Sequence, residues 1–167
     1  MPAPNDEVAM QIKGLLLDPT SNVPIVILRD NENQLLLPIW IGLFEANAIA
    51  LRLEGVEPPR PMTHDLLAAT IHQLGGAVRR IVIRDLLEST YYAAIEVDTA
   101  AGLLTLDARP SDALALALRT GAGIFVLRGV LDRAKAADLA SDTSADDEKI
   151  RRWLEEIGPE DLGKYTM

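Results

Sequence analysis

The chain has no cysteine among its 167 residues, which excludes disulfide staples, thiolate metal ligation and a cysteine nucleophile together. Histidine is nearly as scarce. His64 and His72 are the two imidazoles, so a histidine-dependent mechanism has two candidates. No apolar run approaches the roughly 20 residues of a membrane span, and the opening MPAPNDEVAM lacks a basic n-region and an apolar h-region. The expectation is a protein that is neither exported nor membrane-embedded, set in the reducing cytoplasm. Also missing are a Gly-rich phosphate loop, a G-x-S-x-G elbow, an H-E-x-x-H pair and a C-x-x-C pair. Cationic charge is in deficit, with 16 Lys+Arg against 25 Asp+Glu for a net charge of −9. Residues 1–130 hold 10 basic and 15 acidic side chains (−5), and residues 131–167 hold 6 and 10 (−4). A nucleic-acid ligand would therefore be bound weakly unless arginines gather on one face.

What is present is enough apolar residue, 49%, to bury a sizeable core in one domain. Two aliphatic runs, Val8–Asp18 and Val23–Arg29, flank the turn formers Asp18-Pro19-Thr20-Ser21-Asn22 and predict a β-hairpin. A third strand follows over Gln34–Ile41, where Pro38 favours a sheet edge because it has no N–H to donate. Leu43–Leu53 reads as a helix. A second begins near Thr63, taken as its N-cap, and runs to Gly75. Strands are predicted over Arg79–Asp85, Tyr91–Val97 and Leu103–Ala108, paired as a meander. Ser111 is read as the N-cap of a third helix, apolar nearly all round and so buried, ending at Gly121 before a short strand at Ile124–Leu127. An Ala/Asp/Ser-rich linker is expected over Ala134–Asp147. Ile150, Trp153, Leu154 and Ile157 then give a short amphipathic helix, and 159–165 an extended tail. The predicted fold is α+β: a mostly antiparallel or mixed sheet with three core helices in residues 1–133, then an acidic linker, C-terminal helix and tail in 134–167.

Two segments concentrate chemistry. His64 and Asp65 sit at a predicted helix start, where free N–H groups favour anions. Asp107-Ala108-Arg109-Pro110-Ser111-Asp112 puts two carboxylates, a guanidinium and a hydroxyl within six residues at a strand end. With Glu45 on the first helix, Asp107 and Asp112 supply the oxygen donors that Mg²⁺ or Mn²⁺ prefers. Such a cation would activate water while Arg109 holds a phosphate and Ser111 adds a contact. Arg79, Arg80 and Arg84, followed by Tyr91 and Tyr92, suggest a basic and aromatic strand face for single-stranded nucleic acid.

Each residue also has a plain structural explanation. Thr63 and Ser111 are ordinary caps, and Asp65 and Asp112 complement helix dipoles. Arg109 pairs with one of those acids, and Arg80 or Arg84 lies opposite Glu96 in a cross-strand charge pair. Taken singly, these explanations are preferred. Together, carboxylates from three segments beside predicted helix starts favour a shared site.

Three ordered blocks carry a family likeness: Leu37-Pro38-Ile39-Trp40-Ile41-Gly42 with Glu45-Ala46, then Arg60-Pro61-Met62-Thr63-His64-Asp65-Leu66-Leu67, then Leu106-Asp107-Ala108-Arg109-Pro110-Ser111-Asp112-Ala113. From about Val8 to Arg133 the chain resembles the bifunctional nuclease family, and its closing Pro159–Tyr165 is similar to the end of many bacterial members. The resemblance implies an α+β fold that self-associates and an activity on DNA and RNA. Some relatives carry a helical hairpin that meets excision-repair proteins. One short helix stands in its place here, which argues against that partner.

The resulting expectation is a metal-assisted nuclease, with Glu45, Asp107 and Asp112 as metal ligands and His64, Asp65, Asp107 and Arg109 catalytic. Arg109, Ser111, Arg80 and Arg84 would bind substrate. Histidine's ordinary pKa of about 6.5 suits His64 for proton transfer. The alternative is a non-catalytic oligomeric module binding a small anionic ligand or a partner protein. Exposed sheet edges make a homo-oligomer the expected assembly under either view.

Overall fold

Aliphatic runs punctuated by Asp, Asn and Gly lay down two antiparallel meanders that one late strand joins into a single sheet. The first comprises β1 (Glu7–Leu17), β2 (Pro24–Asp30) and β3 (Leu36–Trp40). The second comprises β4 (Ala77–Leu87), β5 (Thr90–Thr99) and β6 (Gly102–Ala108). β7 (Gly123–Leu127) lies between them, antiparallel to β1 and parallel to β4, so the order across the sheet is β3-β2-β1-β7-β4-β5-β6. This computed structural model describes residues 6–32 and 34–140; the helix expected over 147–157 and the tail at 159–165 lie outside the described residues. The α+β class is as the sequence predicts, with a mixed sheet.

The first hairpin is fixed by Asp18, whose carboxylate is 4% exposed. It accepts the Thr20 N–H at 2.9 Å, the Thr20 hydroxyl at 2.8 Å and the Trp40 indole N–H at 2.8 Å, which ties the end of β3 to the β1–β2 turn. Burial alone would raise its pKa. The indole, the Thr20 backbone and hydroxyl, and Ser21 outweigh that and hold the carboxyl well below its usual range. β3 is the terminal strand, where Pro38, with no N–H to offer, costs the ladder least.

Register assigns the two faces of the second meander. Ile81 opposite Ile95 and Ile83 opposite Ala93 face the helices, while Arg80 opposite Glu96 and Val82 opposite Ala94 face away. Asp107, opposite Ala94, shares that outer face.

Helices α1 (Leu43–Leu53), α2 (Thr63–Gln73) and α3 (Pro110–Thr120) cover the inner face. α3 buries Ala113 through Ala117, as its apolar sequence requires. Its start differs from the predicted one. Arg109 is the N-cap and Pro110 the first helical residue, where a fixed φ and a missing N–H suit the helix, so Ser111 is a 6% exposed first-turn residue and not the cap. At its other end Gly121, at φ 71°, adopts the left-handed conformation and donates its N–H to Ala117 O at 2.9 Å. α2 is likewise capped by Met62 instead of Thr63, with Asp65 Oδ2 accepting the Met62 N–H at 2.9 Å.

A fourth helix, α4 (Arg128–Ala140), replaces the start of the predicted linker. Val130 is fully buried, and Leu131 and Ala134 pack on the core, so good helix formers and an apolar stripe carry the helix past residue 134. Among the described residues no helix is long and apolar enough to cross a membrane.

Candidate functional site

The starts of α1, α2 and α3 meet in one chain of polar side chains. Arg109 donates from Nη2 to Glu45 Oε1 at 2.7 Å and from Nε to Asp112 Oδ2 at 2.8 Å, and the second oxygen of Asp112 lies 2.9 Å from His64 Nε2. Glu45, Arg109, Asp112 and His64 thus form a continuous polar chain contributed by three segments. Helix packing accounts for it, because both α1 and α2 lie against α3. Gly42, the N-cap of α1, leaves room for the arrangement: a Cβ there would collide with the Glu45 carboxylate.

Exposure grades along the chain. The Arg109 side chain is 64% exposed, Asp112 29%, Glu45 17% and His64 11%, so solvent meets the guanidinium first and the imidazole last. Burial would raise the Asp112 carboxyl, but hydrogen bonds from Arg109 and His64 outweigh it and keep the group below its ordinary 3.8. Glu45 is held below 4.5 by its own backbone N–H and by Arg109. In turn Asp112 and Glu45 raise the Arg109 pKa further, fixing its charge.

Asp65 belongs to a second cluster. Its Oδ1 accepts Arg119 Nε at 2.6 Å and Arg52 Nη2 at 3.2 Å, and Arg119 also donates to Ala115 O at 2.8 Å and Ala48 O at 3.0 Å. The Arg119 side chain is 2% exposed. Burial pushes the Asp65 carboxyl up, yet the Met62 N–H and the two arginines hold it down and ionised. This arrangement clamps α2 to α1 and α3, and it sets the Asp65 carboxylate in a cluster of its own and not in the polar chain of Glu45, Arg109, Asp112 and His64. Sequence reading missed Arg52 and Arg119. The available signal was a lone cation near the end of a helix otherwise expected to be buried, which must find a partner.

Asp107 does not join the site. It is 73% exposed on the outer face and pairs with Arg84 Nη2 at 2.9 Å, with the sheet between it and the helices. The expected metal triad of Glu45, Asp107 and Asp112 is therefore not assembled, and among the described residues no three His, Asp or Glu side chains gather as metal ligands. Glu45 and Asp112 converge on a resident guanidinium, so the donor set as held does not fit Mg²⁺ or Mn²⁺, which needs oxygen ligands around an open centre.

The outer face also fails as a basic platform. Arg80 gives Nε and Nη2 to Glu96 at 2.7 and 3.0 Å, pairs with Glu7, and lies over the Phe125 ring, 5.4 Å from its centroid. Arg79 pairs with Asp98 at 2.6 Å and Arg84 with Asp107, so the cross-strand explanation holds and the arginines are neutralised where they stand. Ser111 is buried and not presented to a ligand. His72 lies exposed near the end of α2, apart from the polar chain.

Comparison with known proteins identifies relatives of the chain. A sequence profile of the bifunctional nuclease domain matches residues 26–138. An uncharacterised protein of Mycobacterium tuberculosis is 39% identical over 163 residues, 92% of this chain and 96% of that protein. Bifunctional nuclease 1 of Oryza sativa subsp. indica and a bifunctional nuclease of Oryza minuta are each 26% identical over 118 residues, 69% of this chain. The match covers 36% of each rice protein, so this chain spans about a third of their length. The profile match takes in all of α1, α2 and α3 and every member of the polar chain, and on that ground the protein belongs to the bifunctional nuclease domain family.

Proposed function

We propose that the protein is a nuclease domain that hydrolyses phosphodiester bonds of DNA or RNA at the Glu45–Arg109–Asp112–His64 chain. The observation that carries this reading is the contact of His64 Nε2 with Asp112 Oδ1 at 2.9 Å, made beside the 64% exposed guanidinium of Arg109. Ionised Asp112 fixes the Nε2–H tautomer, which leaves Nδ1 as the nitrogen that accepts a proton. Arg109 holds the phosphate through paired N–H donors. Water then attacks phosphorus and gives its proton to Nδ1, the bond to the leaving oxygen breaks, and that oxygen takes a proton from solvent, to which the imidazolium afterwards releases its own. Asp112 balances the imidazolium, and Glu45 keeps Arg109 in place. A divalent cation would first have to displace Arg109 from both carboxylates, so no step here is assigned to Mg²⁺ or Mn²⁺.

The net charge of −9 and the pairing of Arg109 with two acids favour the second reading, a non-catalytic module for a small anionic ligand. Self-association fits either one, because β6 ends the sheet with Leu103, Leu104 and Leu106 each more than 40% exposed. A cytoplasmic setting fits the lack of cysteine.

The deciding assay is cleavage of single-stranded DNA and RNA with Mg²⁺, with Mn²⁺ and with EDTA, run on wild type and on His64→Ala, Arg109→Ala and Asp107→Ala. Expected is a rate loss of at least about 100-fold for His64→Ala, with Asp107→Ala unaffected. Equal cleavage by all four proteins would mean a contaminating nuclease and overturn the enzyme reading.

A further inference from the structure

Phe44, in the first turn of α1, is 85% exposed, although apolar surface of that size is normally buried. α1 does not use it for packing: its buried residues are Ala46, Ala48, Ile49 and Ala50. The ring is attached one residue before Glu45, whose Oε1 touches Arg109, so its Cα is about 3.8 Å from that of a member of the polar chain. Leu43 is 54% exposed in the same turn. At the start of α2, which carries His64, Met62 is 39% and Leu66 60% exposed. The two helix starts that supply Glu45 and His64 therefore also supply uncovered apolar surface.

The geometry points to Phe44 as the residue that stacks an unpaired nucleobase while Arg109 holds the adjoining phosphate, which makes single-stranded nucleic acid the preferred substrate class. This rests on the reading of the polar chain as a phosphodiester site. An exposed ring one residue along α1 from Glu45, the partner of the exposed Arg109 guanidinium, offers with that guanidinium the two things one nucleotide requires, a π face for the base and a cation for the phosphate. In a duplex the base faces are already stacked on one another, so the ring has nothing to grip. Stacking also answers the charge deficit, because its attraction does not depend on net charge. Among the described aromatics, Phe125 lies under Arg80 and the Trp40 indole is bonded to Asp18, while Tyr92 lies on β5 opposite Asp85, away from the starts of α1 and α2.

Binding of fluorescent, phosphorothioate-linked oligothymidylate, and of an abasic strand of equal length and linkage, tests the inference. Anisotropy is read for wild type, Phe44→Ala, Phe44→Trp and Arg109→Ala, with sedimentation velocity on each. Phe44→Ala is expected to weaken the base-bearing strand by roughly 5- to 100-fold and leave the abasic strand unchanged, with Phe44→Trp retaining wild-type affinity. Arg109→Ala should weaken both strands. Equal effects of Phe44→Ala on the two strands, or none on either, overturn the stacking role while the phosphodiester reading stands. Wild-type protein that binds neither strand overturns both. A Phe44→Ala protein that loses wild-type self-association without discriminating the strands assigns the ring to a second copy of the chain, and also overturns the inference.

Discussion

Arg119 Nε lies 2.6 Å from Asp65 Oδ1, joining the last turn of α3 to the first turn of α2 through a guanidinium that is 2% exposed. Truncating the cation leaves a carboxylate that is 13% exposed with only the Met62 N–H and the longer contact to Arg52 as partners, and removes the Arg119 donors from the carbonyls of Ala48 and Ala115. Arg119→Leu is expected to cost about 3 kcal/mol in urea unfolding at neutral pH. The double change Arg119→Leu with Asp65→Leu should recover most of that, because neither charge is then left alone. If the double variant is no more stable than the single one, the clamp is not the source of the loss.

Acid should loosen the same helices. Asp65, Asp112 and Glu45 all titrate below their ordinary values of 3.8, 3.8 and 4.5 when folded. A depressed folded pKa adds stability that is complete above the unfolded value and is lost as pH falls through the folded one. The urea midpoint should therefore stay level from about pH 7 to 5 and fall below about pH 4. Asp65→Asn should start lower at neutral pH and fall less steeply on acidification.

Gly42→Ala separates the site from the fold. The added methyl group enters the space of the Glu45 carboxylate, a flexible group that can rotate away at little cost, but Arg109 then loses one of its two anchors. The unfolding midpoint should shift by less than about 1 kcal/mol in free energy while nuclease turnover drops several-fold. A large stability loss with unchanged turnover would contradict this account of Glu45.

Asp107→Ala is the complementary case. Its partner Arg84 is 43% exposed and Asp107 itself 73%, so the pair is screened by water and is worth under about 1 kcal/mol. Stability and turnover should both match wild type within that margin. A lost activity would return Asp107 to the site from which the sheet separates it.

Local pattern carried most of the fold. The β1–β2 hairpin, the edge position of Pro38 and the burial of α3 all follow from spacing, turn residues and the chemistry of proline. The position of β7 between β1 and β4 could not be read this way, since a five-residue apolar run does not specify its neighbours. In the candidate site, Glu45, His64, Arg109 and Asp112 were legible because carboxylates, imidazole and guanidinium beside helix starts are conspicuous. Asp107 looked equivalent in sequence, five residues before Asp112. Strand alternation turns its side chain to the outer face, whereas Asp112 follows the chain over the rim into α3. Proximity along the chain concealed a separation by the full thickness of the sheet.

The central place of β7 has a bearing on how the protein emerges from the ribosome. Among the described residues no hydrogen-bonded ladder links the β1–β3 meander to the β4–β6 meander except through β7, which ends at Leu127. During synthesis the first hairpin must wait, its inner edge unpaired, until nearly the whole sheet-forming sequence has left the exit tunnel. Nascent chains arrested before Gly123 should therefore be sensitive to protease at β1 and β4 alike, and both segments should become protected together once β7 is free to insert.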